Sequence, residues 1–282
     1  MIIAAAQLDY RLKLGAQLDY YASVCKKESV DVVVLPEMLN MPIVVRGYRY
    51  GFGEMRLKQS WWDRLLSWAV NRLPDMPWMG KGESMDEALY RRLVRRFSLS
   101  CPTTYVVGGS VVVKRPEGLF NVGVVAKNGE ILAEYDKLNP IHFEKLMGIH
   151  KGKGGPAKVQ MENGQCLHAA ICYDIEFVEQ WKFQPQEGDL VAVPSWGWRP
   201  DGWKETEYDL QFVDTAQELG VALIRCFWAG DMPLGRMGGN SAIIVPGKPI
   251  LRADKEEGQL IGAEYKKGGG ADCKTSLQAS NQ

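Results

Sequence analysis

The opening of the chain, IIAAAQLDYRLKLGAQLDYYASVCKKESVDVVVLPE (residues 2–37), decides the fold class. Its two ends, IIAAAQL and DVVVLPE, are short continuous apolar runs typical of strands that are buried on both faces. Between them, AQLDYYASVCKK carries its apolar residues at helical spacing. A strand, a helix and a second strand in this order predict a β-α-β unit, and hence a layered α/β domain.

The same alternation continues along the rest of the chain. Strands are predicted in TYVVGGSVVV (104–113), in NVGVVAK (121–127) and, after an Asn-Gly turn, in EILAEYD (130–136). Further strands are predicted in QCLHAAIC, LVAVPS, VALIRCFW, NSAIIVP and QLIGAEY, and a helix in ETEYDLQFVDTAQELG, which ends on a glycine. This regular alternation favours one large α/β domain over a string of modules.

The composition is that of a soluble globular protein. The chain has 282 residues, 46% of them hydrophobic, and 34 basic side chains balance 34 acidic ones. A formal net charge of zero does not favour binding to nucleic acid or to an anionic membrane. The six cysteines are scattered, and the amino terminus has no signal-peptide pattern, so we expect reduced thiols and a cytoplasmic location. The cysteine and histidine spacings match no zinc motif, so no zinc site is predicted.

A helix is predicted in MDEALYRRLVRRFSL, residues 85–99, with Met85, Leu89, Leu93 and Phe97 along its apolar face. Ser84 and Glu87 have the spacing of a capping box. Upstream, residues 41–83 are rich in Gly, Pro, Arg and Trp around a predicted helix at 59–72, and we interpret them as loops beside a site.

Three segments place a reactive side chain directly after a predicted strand. Glu37 follows the strand in VVVLPEM, Lys137 follows EILAEYD, and Cys172 follows QCLHAAI. Each residue alone has an ordinary explanation: a helix cap for the glutamate, a surface charge for the lysine and an inert core residue for the cysteine. Together they offer an acid/base, a cation and a nucleophile, the groups that attack on an amide carbonyl requires.

In this set the sequence resembles the nitrilase superfamily of carbon-nitrogen hydrolases. The resemblance rests on Glu37 in LPEM, Lys137 in YDKLNP and Cys172 in ICYDIEF, and extends from AQLD at residue 6 to GNSAIIVPGKPIL at 239–251. It implies a four-layer α-β-β-α sandwich, a homodimer or higher homo-oligomer, and no cofactor. It also implies a second glutamate between the lysine and the cysteine. Glu144 fits that location, with an exposed loop glutamate as the alternative.

The resemblance implies a carbon-nitrogen hydrolase domain over residues 1–267 that hydrolyses a small amide or carbamoyl compound through a thioester. The C-Y-D sequence at 172–174 is more similar to the amidase and Nit-type branches than to true nitrilases, whereas Glu176 stands where Nit-type sequences have arginine. A nitrilase, an amide-forming acyltransferase and a non-catalytic binding protein of this fold stay open as alternatives.

Two further segments carry expectations. Trp196, Trp198 and Trp203 lie in the tryptophan-rich PSWGWRPDGW, where they could wall a pocket or pack in the core. Residues 268–282 have little apolar content, so we predict a flexible C-terminal tail, or an arm that orders only against a partner subunit.

Overall fold

The computed structural model describes residues 1–39, 87–146, 148–196, 198–199, 205–232, 235–237, 239–254, 257–266 and 275–280. The helices α1 to α4 are Leu14–Lys27, Glu87–Ser100, His142–Leu146 and Glu205–Leu219, and a 3₁₀ segment spans Cys172–Gln180. Strands β1 to β9 are Ile2–Asp9, Val32–Val34, Tyr105–Val107, Val111–Arg115, Gly118–Lys127, Glu130–Asp136, Ala157–Gln160, Cys166–Ala169 and Leu190–Pro194. Strands β10 to β18 are Trp198–Arg199, Ala222–Cys226, Trp228–Ala229, Asp231–Met232, Gly235–Met237, Ala242–Ile244, Leu251–Arg252, Gln259–Glu264 and Thr275–Ser280.

Two large sheets are built from these strands. Among the described residues, the first sheet has the order β18-β17-β1-β2-β3-β5-β4, with β6 beside β5 and β12 beside β1. Strands β1, β2 and β3 run parallel, so the β-α-β unit predicted from residues 2–37 is confirmed. The second sheet has the order β16-β15-β11-β9-β8-β7, with β8, β9 and β11 parallel.

The buried side chains form three layers, which define how the sheets stack. Along β2, Val32 and Val34 point toward the second sheet, while Val33 points away from it, as the two-residue period of a strand requires. The core between the sheets includes Ile3, Val107, Leu167, Leu190 and Ile224. The outer faces are covered by Tyr21 and Val94 of α1 and α2 on one side and by Phe212 and Ala216 of α4 on the other. The expected four-layer α-β-β-α sandwich is confirmed.

Helix α2 is present, and its predicted apolar face is partly right, because Phe97 is buried and Leu93 packs against the core. Tyr90, Val94 and Phe97 are buried, whereas Leu89 is 39% exposed. The tyrosine turns inward because its hydroxyl accepts a hydrogen bond from the backbone N–H of Val124 and donates one to Gly109 O.

The prediction of a flexible tail is wrong for Thr275–Ser280. This segment forms β18 and pairs antiparallel with β17, from Gln259 opposite Ser280 to Ala263 opposite Thr275. A strand added at a sheet edge is held by backbone hydrogen bonds, so its low apolar content does not prevent it from ordering. The boundary at residue 267 stays a prediction. The helix predicted at 59–72 and the cap at Ser84 lie outside the described residues.

In the part of the chain that the structure describes, no helix combines the length and the apolar character that crossing a bilayer demands.

Candidate active site

Glu37 is held at the end of β2 by contacts from both sheets. Its N–H donates to Ser195 O (3.4 Å), and its carbonyl accepts a hydrogen bond from Trp228 Nε1 (2.7 Å). The next residue, Met38, has a positive φ of 54° and donates its N–H to Ser110 Oγ (3.1 Å). The backbone therefore makes a sharp turn at Glu37, and this turn directs the carboxylate into the gap between strand ends.

Gly109 allows this turn to form. It has a φ of +68°, and a Cβ atom at this position would lie 2.0 Å from the carbonyl oxygen of Pro36. A side chain there would push the Pro36-Glu37 segment away from the end of β3. The second glycine of the VVGGS stretch thus has a steric role in placing Glu37.

Lys137 follows β6 and contacts two carboxylates. Its Nζ lies 2.7 Å from Glu37 Oε1 and 2.7 Å from Glu144 Oε2. Its backbone N–H donates to Asn121 O (2.9 Å), and its carbonyl accepts from the N–H of Gly152 (2.8 Å). All three charged side chains are 1% exposed. Lys137 is therefore not a surface charge, and Glu144 is not an exposed loop glutamate.

Glu144 lies in the first turn of α3. Its Oε2 accepts a hydrogen bond from the N–H of Ile141 (2.9 Å), as the glutamate at position N3 of a capping box does. Asn121 Nδ2 joins this carboxylate to that of Glu37, with distances of 2.9 Å to Glu144 Oε1 and 2.8 Å to Glu37 Oε1. Asn121 thus fixes the relative positions of the two glutamates.

Cys172 stands where the chain leaves β8 and enters the 3₁₀ segment. Its φ of +49° is rare for a residue with a side chain and marks local strain. The side chain is partly exposed and interacts with Glu37, Lys137 and Glu144. The structure therefore brings together all four residues that the sequence singled out.

The surroundings of the Cys172 thiol raise its pKa. Burial raises this pKa to about 12, and the negative charge of Glu37 adds to the effect. Lys137 lowers it, as a cationic neighbour does, but the two glutamates together outweigh the charge of the lysine. At neutral pH the resting side chain is therefore a thiol, which needs a base before it can react as a nucleophile.

The two charged partners of the cysteine are also perturbed. Burial raises the pKa of Glu37, with Glu144 raising it further and Lys137 opposing the shift. Burial alone lowers the pKa of Lys137, but the carboxylates of Glu37 and Glu144 outweigh burial and raise this pKa well above 10.5. The lysine is thus a permanent cation, and the pKa of Glu37 lies above that of an exposed glutamate.

Lys137 and Glu37 each keep unused hydrogen-bonding capacity. A lysine ammonium has three donors, and two of them are occupied by Glu37 and Glu144. Within the described residues, Glu37 Oε2 accepts no hydrogen bond from nitrogen or oxygen. A hydrogen bond from the Cys172 thiol is among the influences that lower the pKa of Glu37. The site can therefore move a proton between sulfur and carboxylate beside a cation.

Two residues of the site were missed in the sequence. Asn121 lies in β5 and Asp174 lies in the 3₁₀ segment, and both side chains are 1% exposed. Asp174 Oδ1 accepts from the N–H of Asn139 (2.7 Å), and Oδ2 accepts from the N–H of Leu138 (3.1 Å). The available signal was a polar residue within an apolar strand for Asn121, and the acidic residue of C-Y-D for Asp174.

The tryptophan-rich segment is only partly described. Trp196 is buried. Its backbone N–H donates a hydrogen bond to the sulfur of Cys172, which lowers the pKa of the thiol. Its role as a pocket wall stays a prediction, and Trp203 and the side chain of Trp198 lie outside the described residues. Glu176 is partly exposed; burial raises its pKa, and a hydrogen bond with Gln211 of α4 opposes this shift.

A second cluster of titratable groups lies in the second sheet. The ligand atoms of Cys166, His168 and Asp189 all lie within 4.8 Å of one another. Both oxygens of Asp189 already accept hydrogen bonds, Oδ1 from the N–H of Cys166 and Oδ2 from that of Gln186, and His168 Nε2 lies 3.1 Å from Oδ2. These contacts satisfy the carboxylate as part of a buried hydrogen-bond network.

The fold and its gathered side chains define a class, namely four-layer α/β proteins with a thiol beside a buried lysine and two glutamates. A comparison with protein-family models is more specific. The model described as carbon-nitrogen hydrolase matches residues 2–269, and the chain belongs to this family.

The chain is also similar to individual proteins. It is 28% identical over 174 residues to the "Hydrolase in agr operon" of Staphylococcus aureus, a match that covers 59% of this chain and 53% of that relative. The chain thus spans about half the length of that curated relative. A variant of the amidase from Nesterenkonia sp. AN1, with acrylamide added to its active-site cysteine, is 20% identical with a TM-score of 0.65. That comparison covers 94% of this chain and 93% of the other. Another variant of the same amidase, from the nitrilase superfamily, is 20% identical with a TM-score of 0.66 and covers 94% and 92%.

Proposed function

We propose that this protein is an amidase-type hydrolase that cleaves the carbon-nitrogen bond of a small amide or carbamoyl compound, with Cys172 as nucleophile. The observation that carries the proposal is the position of Lys137 Nζ, 2.7 Å from carboxylate oxygens of both Glu37 and Glu144 and in interaction range of the Cys172 sulfur. Acid/base, cation and nucleophile thus face one another in a buried space.

The first half of the reaction forms a thioester. Glu37 takes the proton of the Cys172 thiol as the sulfur attacks the carbonyl carbon. The remaining donor of Lys137 and the backbone N–H of Tyr173 stabilise the oxyanion. Glu37 then returns the proton to the departing nitrogen, the carbon-nitrogen bond breaks, and ammonia or an amine leaves.

The second half releases the acid. Glu37, again ionised, takes a proton from a water molecule as that water attacks the thioester carbon. The tetrahedral adduct collapses, the carbon-sulfur bond breaks, and the sulfur recovers its proton from Glu37. Over the cycle one amide and one water yield one carboxylic acid and one ammonia. Glu144 positions Lys137 and shares the ammonium charge with Glu37.

The relatives support this chemistry by analogy. Acrylamide and the acetamide moiety of fluoroacetamide add covalently to the active-site cysteine in variants of the Nesterenkonia amidase. At 20% identity this likeness shows the fold alone, so the transfer of an amide-directed cysteine to Cys172 is part of the proposal.

The proposal is tested by measuring ammonia release across simple amides, carbamoyl amines and nitriles. We expect amides to be turned over better than matched nitriles, because expulsion of ammonia from the first adduct requires only the proton that Glu37 holds. Cys172→Ala should abolish release, while Cys166→Ala, which changes a cysteine of the second sheet outside the site, should retain it. Unchanged turnover in Cys172→Ala would refute the mechanism, and a consistent nitrile preference would refute the amidase assignment.

A further inference from the structure

Asp174 links the turn that carries Cys172 to the turn that carries Lys137. Its carboxylate accepts three hydrogen bonds, from the N–H groups of Leu138 and Asn139 and from Asn139 Nδ2 (3.2 Å). The three donor groups belong to Leu138 and Asn139, the two residues that follow Lys137 directly. The acceptor is two residues from Cys172.

The backbone of Asp174 is fixed as firmly as its side chain. Its N–H donates to Ile171 O (3.0 Å), which closes the turn around Cys172, and its carbonyl accepts from Trp181 Nε1 (3.0 Å). The carboxylate is therefore a rigid acceptor. Because the side chain is buried, these hydrogen bonds are shielded from competition by water.

No strand pairing sets the distance between the lysine and the cysteine in the described part of the chain. Lys137 follows β6, an element of the first sheet, whereas Cys172 follows β8, an element of the second. The two sheets meet mainly through side-chain packing, and the hydrogen bond from Glu37 N–H to Ser195 O joins them at the glutamate rather than at the lysine. A direct hydrogen-bonded link between the two turns is thus the feature best suited to fix this distance.

We propose that Asp174 is a positioning residue that holds the Lys137 turn against the Cys172 turn, so that the ammonium faces the developing oxyanion. This inference rests on the proposed function. It assigns to the acidic residue of C-Y-D a role in the geometry of the reaction rather than in proton transfer, since both of its oxygens are occupied by N–H donors.

The test compares Asp174→Asn with Asp189→Asn. Asp189 is a suitable control because it is also a buried carboxylate of the second sheet that accepts two backbone N–H groups, but it lies in the Cys166-His168 network. In Asp174→Asn the side-chain NH₂ group faces the N–H donors of Leu138 or Asn139 and cannot accept a hydrogen bond from them. We expect this repulsion to displace the Lys137 turn. We expect kcat to fall about 100-fold with KM nearly unchanged, the scale of an ångström-size misplacement. Asp189→Asn should lower Tm and leave kcat within about threefold.

Two further variants keep the test decisive if Asp174→Asn does not fold. Asp174→Glu retains the carboxylate but moves it by one methylene, so its kcat should lie between those of the parent and of Asp174→Asn. Asn139→Ala removes one donor and keeps the backbone N–H, so its kcat should fall only severalfold. Parental kcat in folded Asp174→Asn or Asp174→Glu would overturn the inference, and so would an equal loss of kcat in Asp189→Asn.

Failure of this inference is distinguishable from failure of the proposed function. If Cys172→Ala is inactive and Asp174→Asn has parental kcat, only the positioning role is refuted. If Cys172→Ala retains activity, the proposed function is refuted whatever Asp174 does.

Discussion

At the scale of the residue, the site is governed by one cation shared between two carboxylates. Lys137 would lower the pKa of the Cys172 thiol if it were alone, but Glu37 and Glu144 oppose it, and the net result is a pKa raised to about 12. A reactive thiolate is therefore not stored in the resting protein. In the proposed mechanism it forms only as the proton moves to Glu37 during attack.

Glu37→Gln is expected to separate two reactions of the same cysteine. Ammonia release should fall at least about 100-fold, because the departing nitrogen loses its proton donor. Labelling of Cys172 by iodoacetamide should persist, since iodide leaves without a proton and since removal of the Glu37 charge lowers the pKa of the thiol. Both rates are measured on one preparation, with Glu162→Gln at an exposed salt bridge as the control. Retained turnover, or complete loss of labelling in a folded variant, would contradict the assigned role.

Asn121→Leu is expected to change the pH dependence of the reaction. Asn121 donates to Glu37 Oε1 and stabilises its ionised form, so loss of this donor raises the pKa of Glu37. Lys137, Glu144, Cys172 and Tyr135 also influence this carboxylate and remain in place. In the proposed mechanism ionised Glu37 is the active form, so the acidic limb of kcat/KM should move to higher pH. A limb that stays at the parental pH would show that Asn121 has no influence on Glu37.

At the scale of the element, much of the architecture was readable from periodicity. The runs at 2–8 and 31–37 became parallel strands with α1 between them, and Asn128 and Gly129 form a turn with φ of 49° and 77°. Glu37, Lys137 and Cys172 could then be singled out because each follows a predicted strand. Their convergence could not be read from spacing alone, because it depends on which sheet edges face each other.

Other features were set by long-range contacts that local sequence does not encode. The inward face of α2 is chosen by two hydrogen bonds of Tyr90 to β5 and to Gly109, and strand β18 is ordered by the free edge of β17. Asp174 appeared as part of a motif, but its partners at 138 and 139 lie 36 and 35 residues away along the chain.

The corrected face of α2 predicts a difference between two neighbouring substitutions. Val94 is 1% exposed, so Val94→Ala should lower the free energy of unfolding by about 2 kcal/mol through lost packing and a cavity. Leu89 is 39% exposed, and Leu89→Ala should change it by no more than about 0.5 kcal/mol. Urea unfolding of both variants measures the difference. Equal losses, or a larger loss at Leu89, would favour the face predicted from the sequence.

At the scale of the whole molecule, the site exists because two sheets are stacked. Glu37 and Lys137 come from the first sheet and Cys172 from the second, so correct docking of the sheets assembles the groups. The first sheet continues on the other side through β1 and β17 to β18, which is therefore three strands away from β2.

Removal of the chain from residue 268 onward tests this separation of stability from chemistry. The truncated protein loses β18 and exposes the edge of β17, so we expect a lower Tm and a greater tendency to aggregate. The pH dependence of Cys172 labelling and the kcat of the folded fraction should stay at parental values. A folded truncated protein with an altered Cys172 titration would indicate that the C-terminal segment reaches the site.

The most direct test of the central claim is peptide-level mass spectrometry of enzyme quenched with acid during turnover of an amide found in the ammonia screen. The account predicts an adduct of the substrate's mass less one ammonia, carried by the peptide that contains Cys172 and lacking in Cys172→Ala. An adduct at Cys101 or Cys226, or steady turnover by folded Cys172→Ala, would contradict it.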